Sequence, residues 1–178
     1  MVFQSLPALQ RAMMKRPFRI LLLSLAFLVT CQALLSQTIA EARMQPPGNS
    51  VTVRGIVTNG PELGKIRFLQ DGTAGIAAFP GTGSVPGFDG AVVPGDSIEV
   101  TGTLVSFHEL LEISPITSYT IISSGNPLPA PKPVSLSQIS DDLQGQLLEF
   151  ECITFEESGG VFTIGGNYDV VDLDGVSG

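Results

Sequence analysis

The chain has 178 residues, 43% of them hydrophobic and 15% charged. That much apolar side chain excludes wholesale disorder, and the length suits one domain or two small ones. Past residue 42, five basic residues face sixteen acidic ones, a net charge of −11 that opposes long-range attraction of a phosphate backbone.

At the start of the chain, Arg11, Lys15, Arg16 and Arg19 form a positively charged stretch, followed by an uncharged and mostly apolar run over residues 20–35. A bilayer crossing needs about 20 such residues. Ala40-Glu41-Ala42 then has the A-x-A form of a signal-peptidase site. Residues 1–42 are therefore expected to be a signal peptide, and the protein is expected to be secreted, periplasmic or on the cell surface. Two alternatives stay open: a retained anchor, or a lipoprotein acylated at Cys31, which follows Leu28-Val29-Thr30. Each of the three places the remainder outside the cytoplasm. Cys152 is then the one cysteine left, which rules out an internal disulfide or a cysteine-built metal site. Its setting among β-forming residues predicts a buried structural thiol.

Residues 43–49 (Arg-Met-Gln-Pro-Pro-Gly-Asn) read as a linker. Strand signals follow at short intervals. Residues 51–58 are rich in β-branched side chains, broken by Gly55. Lys65 to Gln70 alternates charge and hydrophobe, the period of a half-buried strand. Asp71-Gly72-Thr73 is a hairpin turn, and Gly75 to Phe79 a third strand. A Gly- and Pro-rich loop covers 80–95 with no amphipathic helix in it. Ser97 to Phe107, containing Gly102, and Leu110 to Ile122 are the fourth and fifth strands. Five short strands with turns between them, and glycines inside two, predict an all-β fold with a small, sharply coiled barrel.

Three runs in order carry a resemblance: Val53-Arg54-Gly55-Ile56-Val57-Thr58, then Phe68-Leu69-Gln70-Asp71-Gly72-Thr73-Ala74-Gly75-Ile76, then Val93-Pro94-Gly95-Asp96-Ser97-Ile98-Glu99-Val100-Thr101-Gly102. Together, over about residues 50–123, they resemble the OB-fold domains of exported bacterial proteins that accompany extracellular nucleases, phosphatases and lamin-tail-like modules. The resemblance implies an OB-fold domain at 50–124. Its ligand face would lie on strands two and three, with Lys65, Arg67 and Phe68 as candidate ligand-binding residues. Lys65 and Arg67 would share one side of strand two and Phe68 the other. Core packing is the expected role for Phe68 and Phe79, because strand three adds no charge and no stacking platform forms. Oligosaccharide, nucleic acid and protein all remain as ligands, with the acidic charge tilting away from nucleic acid.

Proline alternation at 126–133 predicts a semi-rigid linker over 125–137. Beyond it, residues 145–155 and 162–175 read as the first strands of a partial second OB-like domain over 138–178, with Ser140-Asp141-Asp142-Leu143 as a short helical turn. Half a barrel would be missing, so the expectation is a piece of a longer protein with a further domain downstream. Asp169, Asp172 and Asp174 miss the EF-hand spacing because Val170 occupies a ligand position, and a solvated turn is expected there. His108, the one histidine, reads as a surface residue on a hairpin. No nucleophile–base or metal-binding motif occurs, so neither catalytic residues nor a metal or other cofactor are expected. Function is therefore expected to be that of a non-catalytic, exported OB-fold accessory or binding module. The alternative is the N-terminal part of an extracellular nuclease or phosphatase.

Overall fold

A computed structural model of the protein describes residues 36–82, 85–156, 160–163 and 168–177. The expected charged and apolar regions of the leader, with Cys31, lie outside the described residues, as does part of the expected strand after Phe162. No helix among the described residues is long and apolar enough to cross a membrane.

Five strands close into a barrel in the order β1-β2-β3-β5-β4: β1 (Ser50–Val57), β2 (Arg67–Gln70), β3 (Gly75–Ala78), β4 (Ser97–Phe107) and β5 (Leu110–Ser123). All neighbours are antiparallel except β3 and β5, which pair in parallel at Ala77↔Glu112 and Ala78↔Ile113. This is the five-stranded OB arrangement. Closure removes the exposed strand edges that an open sheet of this size would present.

Alternation along β1 puts Val51, Val53 and Val57 in the core with Leu69, Ile76, Ile98, Val100, Leu104 and Ile113. The barrel can close this tightly because two glycines let backbones touch. A Cβ on Gly102 would lie 2.6 Å from the Ile113 side chain and 2.7 Å from the Pro115 carbonyl, and one on Gly55 would lie 3.1 Å from Leu69. The ladder between β4 and β5 shifts register on either side of Gly102, where the strand coils.

Two short helices absent from the expected strand pattern plug the barrel. Helix α1 (Ile39–Arg43) begins with a reciprocal capping box between Thr38 and Glu41, and buries Ile39 and Ala42 completely. It packs at the β2–β3 turn: the Ile39 amide donates to Asp71 Oδ2 at 2.9 Å, and the Ala40 amide to Thr73 Oγ1 at 3.1 Å. Helix α2 (Phe88–Ala91) lies in the loop read as helix-free. It buries Phe88, whose ring meets Tyr119 edge-on at 5.2 Å. The loop's glycines hid this turn, and Gly87, with φ +82, supplies the left-handed entry to it.

The folded unit thus starts earlier than the expected 50–124. Residues 43–49 are not a free linker, since the Gly48 amide bonds the Leu104 carbonyl and the Leu104 amide bonds Asn49. The Ala40-Glu41-Ala42 triplet lies inside α1, with Ala42 wholly buried. A cut after Ala42 would take Ile39 and Ala42 out of the core.

The C-terminal residues form less regular structure than a second barrel would. A 3-10 turn does occur at Asp141–Leu143. The expected long strand over 145–155 is instead two short pieces. Strand β6 (Lys132–Pro133) pairs in parallel with β7 (Leu148–Glu149), and β8 (Thr154–Phe155) pairs with β9 (Val170–Val171). Between β7 and β8 the chain turns at Cys152, whose φ of 54 is left-handed. Cys152 is exposed, which corrects the expected buried thiol.

Candidate functional site

The three candidate ligand residues on or beside strand two part company. Arg67 is fully buried. Its guanidinium donates to the carbonyls of Val92 (3.0 Å), Gly60 (3.2 Å), Gly64 (2.9 Å) and Ile66 (2.9 Å), and to that of Asp89. A fully buried side chain that already binds five backbone carbonyls is not presented to a ligand. Arg67 is removed from the candidate set on that ground. Alternation had put it on the same side as Lys65, but Lys65 precedes β2 and points into solvent from the β1–β2 loop. Phe68 is half-buried and lies outside the core cluster, on the outward side of β2, as does Ile66. Phe79, expected in the core, is half-buried and also faces outward.

The outward side of β2, β3 and β5 holds a groove of about 410 Å³. Leu63, Lys65 and Ile66 form one wall, from the β1–β2 loop. Phe79 and Ser114 form the floor, and Phe107, Leu110 and Glu112 form the other wall, from the β4–β5 hairpin. OB folds bind oligomeric ligands on strands two and three and between these two loops; here the loops and the residues flanking β2 and β3 line the groove. Leu63 and Phe107 are 55% and 59% exposed.

The hairpin wall is held in a costly shape. A two-residue turn links Phe107 to Leu110, and both of its residues, His108 (φ 47) and Glu109 (φ 69), are left-handed. Asn and Gly are the usual occupants of such a turn, and each non-glycine residue there costs roughly 1–2 kcal/mol. Two contacts hold it. The Phe107 and His108 rings meet edge-on at 4.4 Å. Gln144, from the C-terminal region, donates from Nε2 to the Glu109 carbonyl (2.9 Å) and accepts at Oε1 from the Leu111 amide (3.1 Å). His108 is exposed, as expected.

The segment around Gln144 crosses the same outward side of the sheet. A Cβ on Gly75 would fall 2.2 Å from the Gly145 backbone, so the two chains cross with no side chain between them. The Leu147 amide donates to Gln70 Oε1 at 2.9 Å. Arg43 donates to the Gly75 carbonyl at 3.0 Å and to the carbonyl of Asp141.

Glu112 is the polar feature of the groove. It is only 5% exposed, and no described residue donates a hydrogen bond to its carboxylate. Nothing in the local sequence marks it out as a site residue. Its strand position was legible, but the groove that buries it comes from the two loops meeting. Among the described residues, no group of three His, Cys, Asp or Glu side chains is placed to hold a metal. In the C-terminal turn Asp172 instead serves the backbone, its Oδ1 accepting from the Asp174 and Val176 amides.

No protein-family model matches the chain, and no curated protein matches it. Among solved structures, it is similar to the hypothetical protein ygiW from E. coli, with 18% identity and a TM-score of 0.41 over 49% of this chain and 90% of that one. The OB assignment rests on the strand order and closure of the barrel itself.

Proposed function

We propose that the chain is an exported, non-catalytic OB-fold module that binds a ligand in the groove between its β1–β2 and β4–β5 loops. It would serve there as an accessory part of a larger secreted or cell-surface protein. The observation that carries this reading is the groove itself, where exposed apolar side chains stand beside a strained hairpin that a separate segment clamps in place. A two-residue hairpin turn of this type needs both central residues left-handed, and Gln144 fixes its backbone on the groove side. Catalysis would need a joined nucleophile–base pair, and no described hydrogen bond links the groove's Lys65, Glu112 and Ser114 to one another.

The test is an amide-resolved NMR titration of the chain with three probes in turn: a cello-oligosaccharide, a dT12 oligonucleotide and a pool of random linear dodecapeptides. Ile66, Phe79, Leu110 and Glu112 should shift with one class, while the β1–β4 ladder on the far side stays still. Silence at these four residues with all three classes would overturn the reading.

A further inference from the structure

We infer that the occupant of this groove is a polypeptide segment that presents apolar side chains and one basic residue, the latter to pair with Glu112. The inference rests on the groove being a binding site, and it names the partner.

Three observations select a peptide. The first is chemical balance. Leu63, Ile66, Phe79, Phe107 and Leu110 line the groove, against only Lys65, Glu112 and Ser114 as polar groups. An oligosaccharide brings hydroxyls on every ring and needs many donors and acceptors to replace lost water. A nucleic acid needs several cations along its backbone, and the groove offers Lys65 alone, beside a carboxylate. Apolar peptide side chains match what is present.

The second is Glu112. Its carboxylate lines the groove with no hydrogen bond from a described residue, and its oxygens are not among the fully enclosed ones. A lysine or arginine side chain entering beside it would supply a charge-assisted bond. Phosphate and acidic ligands are disfavoured by the same group.

The third is continuity. The same sheet face already carries a polypeptide, residues 141–147, held by Gln70, Arg43 and the glycine crossing at Gly75. Gln144 belongs at once to this strap and to the groove wall, because it fixes the backbone of Glu109 and Leu111. A bound peptide would therefore extend a covered face already in use. Gln144 is the positioning residue that joins the two.

The test pans a random linear dodecapeptide library against the immobilised full chain, then measures the enriched peptides by fluorescence anisotropy. Enriched sequences should be apolar with a lysine or arginine, and exchanging that basic residue for Glu should weaken binding tenfold or more. Phe107→Ser, at an exposed position, should weaken it by a similar factor, and Glu112→Gln should abolish the preference for the basic residue. Lys132→Ala, remote from the groove, should change nothing. Three results would overturn the inference: no enrichment, enrichment of acidic peptides, or binding indifferent to Phe107→Ser. If the oligosaccharide or dT12 moves the groove amides in the titration while panning enriches nothing, the binding module stands and the peptide assignment falls.

Discussion

The two ends of the barrel are stoppered by the same device built from opposite charges. At the β2–β3 end, α1 inserts Ile39 and Ala42, and the Asp71 carboxylate gathers the amides of Ile39, Thr73 and Ala74. At the other end, α2 inserts Phe88, and the Arg67 guanidinium gathers five carbonyls. Short helices leave their terminal amides and carbonyls unpaired. Asp71 takes one such amide, that of Ile39, and Arg67 takes the carbonyls of Asp89 in α2 and of Val92 just after it, while their other partners belong to the adjoining turn and loop. The anion faces amides and the cation faces carbonyls, so each plug is specified by one charged residue on or beside β2. The difference is that Asp71 can be neutralised by protons and Arg67 cannot.

The largest effect should come from removing the α1 plug. A chain beginning at Arg43 loses Ile39 and Ala42 from the core. Burial of one isoleucine contributes about 2–3 kcal/mol, and the vacated end adds a cavity cost. Relative to a chain beginning at Ser36, urea unfolding should show a loss of ~4 kcal/mol. Equal midpoints would mean that α1 is an appendage and that the barrel has one working plug. Next in size is Arg67→Met, which removes the donors from buried carbonyls that each cost ~1–3 kcal/mol when left unpaired. The Gly60 and Ile66 carbonyls keep a bond from Asn59, so three carbonyls at about 1 kcal/mol each give an expected loss of ~3 kcal/mol, against less than ~0.5 kcal/mol for Lys65→Ala at the exposed position two residues away. Similar losses at the two positions would return Arg67 to the surface role first assigned to it.

That contrast between Lys65 and Arg67 shows where sequence reading works and where it stops. The strands were legible because β-branched periodicity and the Asp71-Gly72 turn are local signals, and Gly55 and Gly102 sit where the coil needs them. The plugs were not. Residues 39–43 looked like a processing site because small residues in an A-x-A pattern suit a peptidase and a buried helix equally well. Arg67 looked like a ligand contact because the OB-fold resemblance puts the ligand face on strands two and three, where it shares a side with Lys65. Its burial depends on the β1–β2 loop and α2 folding over it, neither of which is local to β2. The groove shares that origin. Lys65 was found, but Phe107, Leu110 and Glu112 come from a hairpin 40 residues later, and only the meeting of two loops makes them neighbours.

The smallest effect, and the one that separates the two ends most directly, is on pH. Burial pushes the Asp71 carboxyl up and is the largest single influence on it, but the hydrogen bonds from the Ile39 amide, the Thr73 hydroxyl and the Ala74 and Thr73 amides together outweigh it. They hold the group below the ordinary aspartate range. The folded state therefore favours the charged form. Its stabilisation is fully present above the unfolded value, about 3.9, and is lost as pH falls through the lower folded one. Glu41, held down by the Thr38 amide and hydroxyl, and Glu62, held down by its own amide and that of Gly60, titrate in the same direction. The reading must therefore be a difference between two chains. Asp71→Asn should cost about 1 kcal/mol at pH 7, the worth of a helix N-terminal cap. That gap should stay flat down to about pH 4 and close below it. Arg67→Met should show a gap that is the same at pH 3 as at pH 7, because the guanidinium stays charged throughout. A gap for Asp71→Asn that persisted undiminished at pH 2 would mean that the carboxylate's charge does not hold α1, and the symmetry of the two plugs would fail at that end.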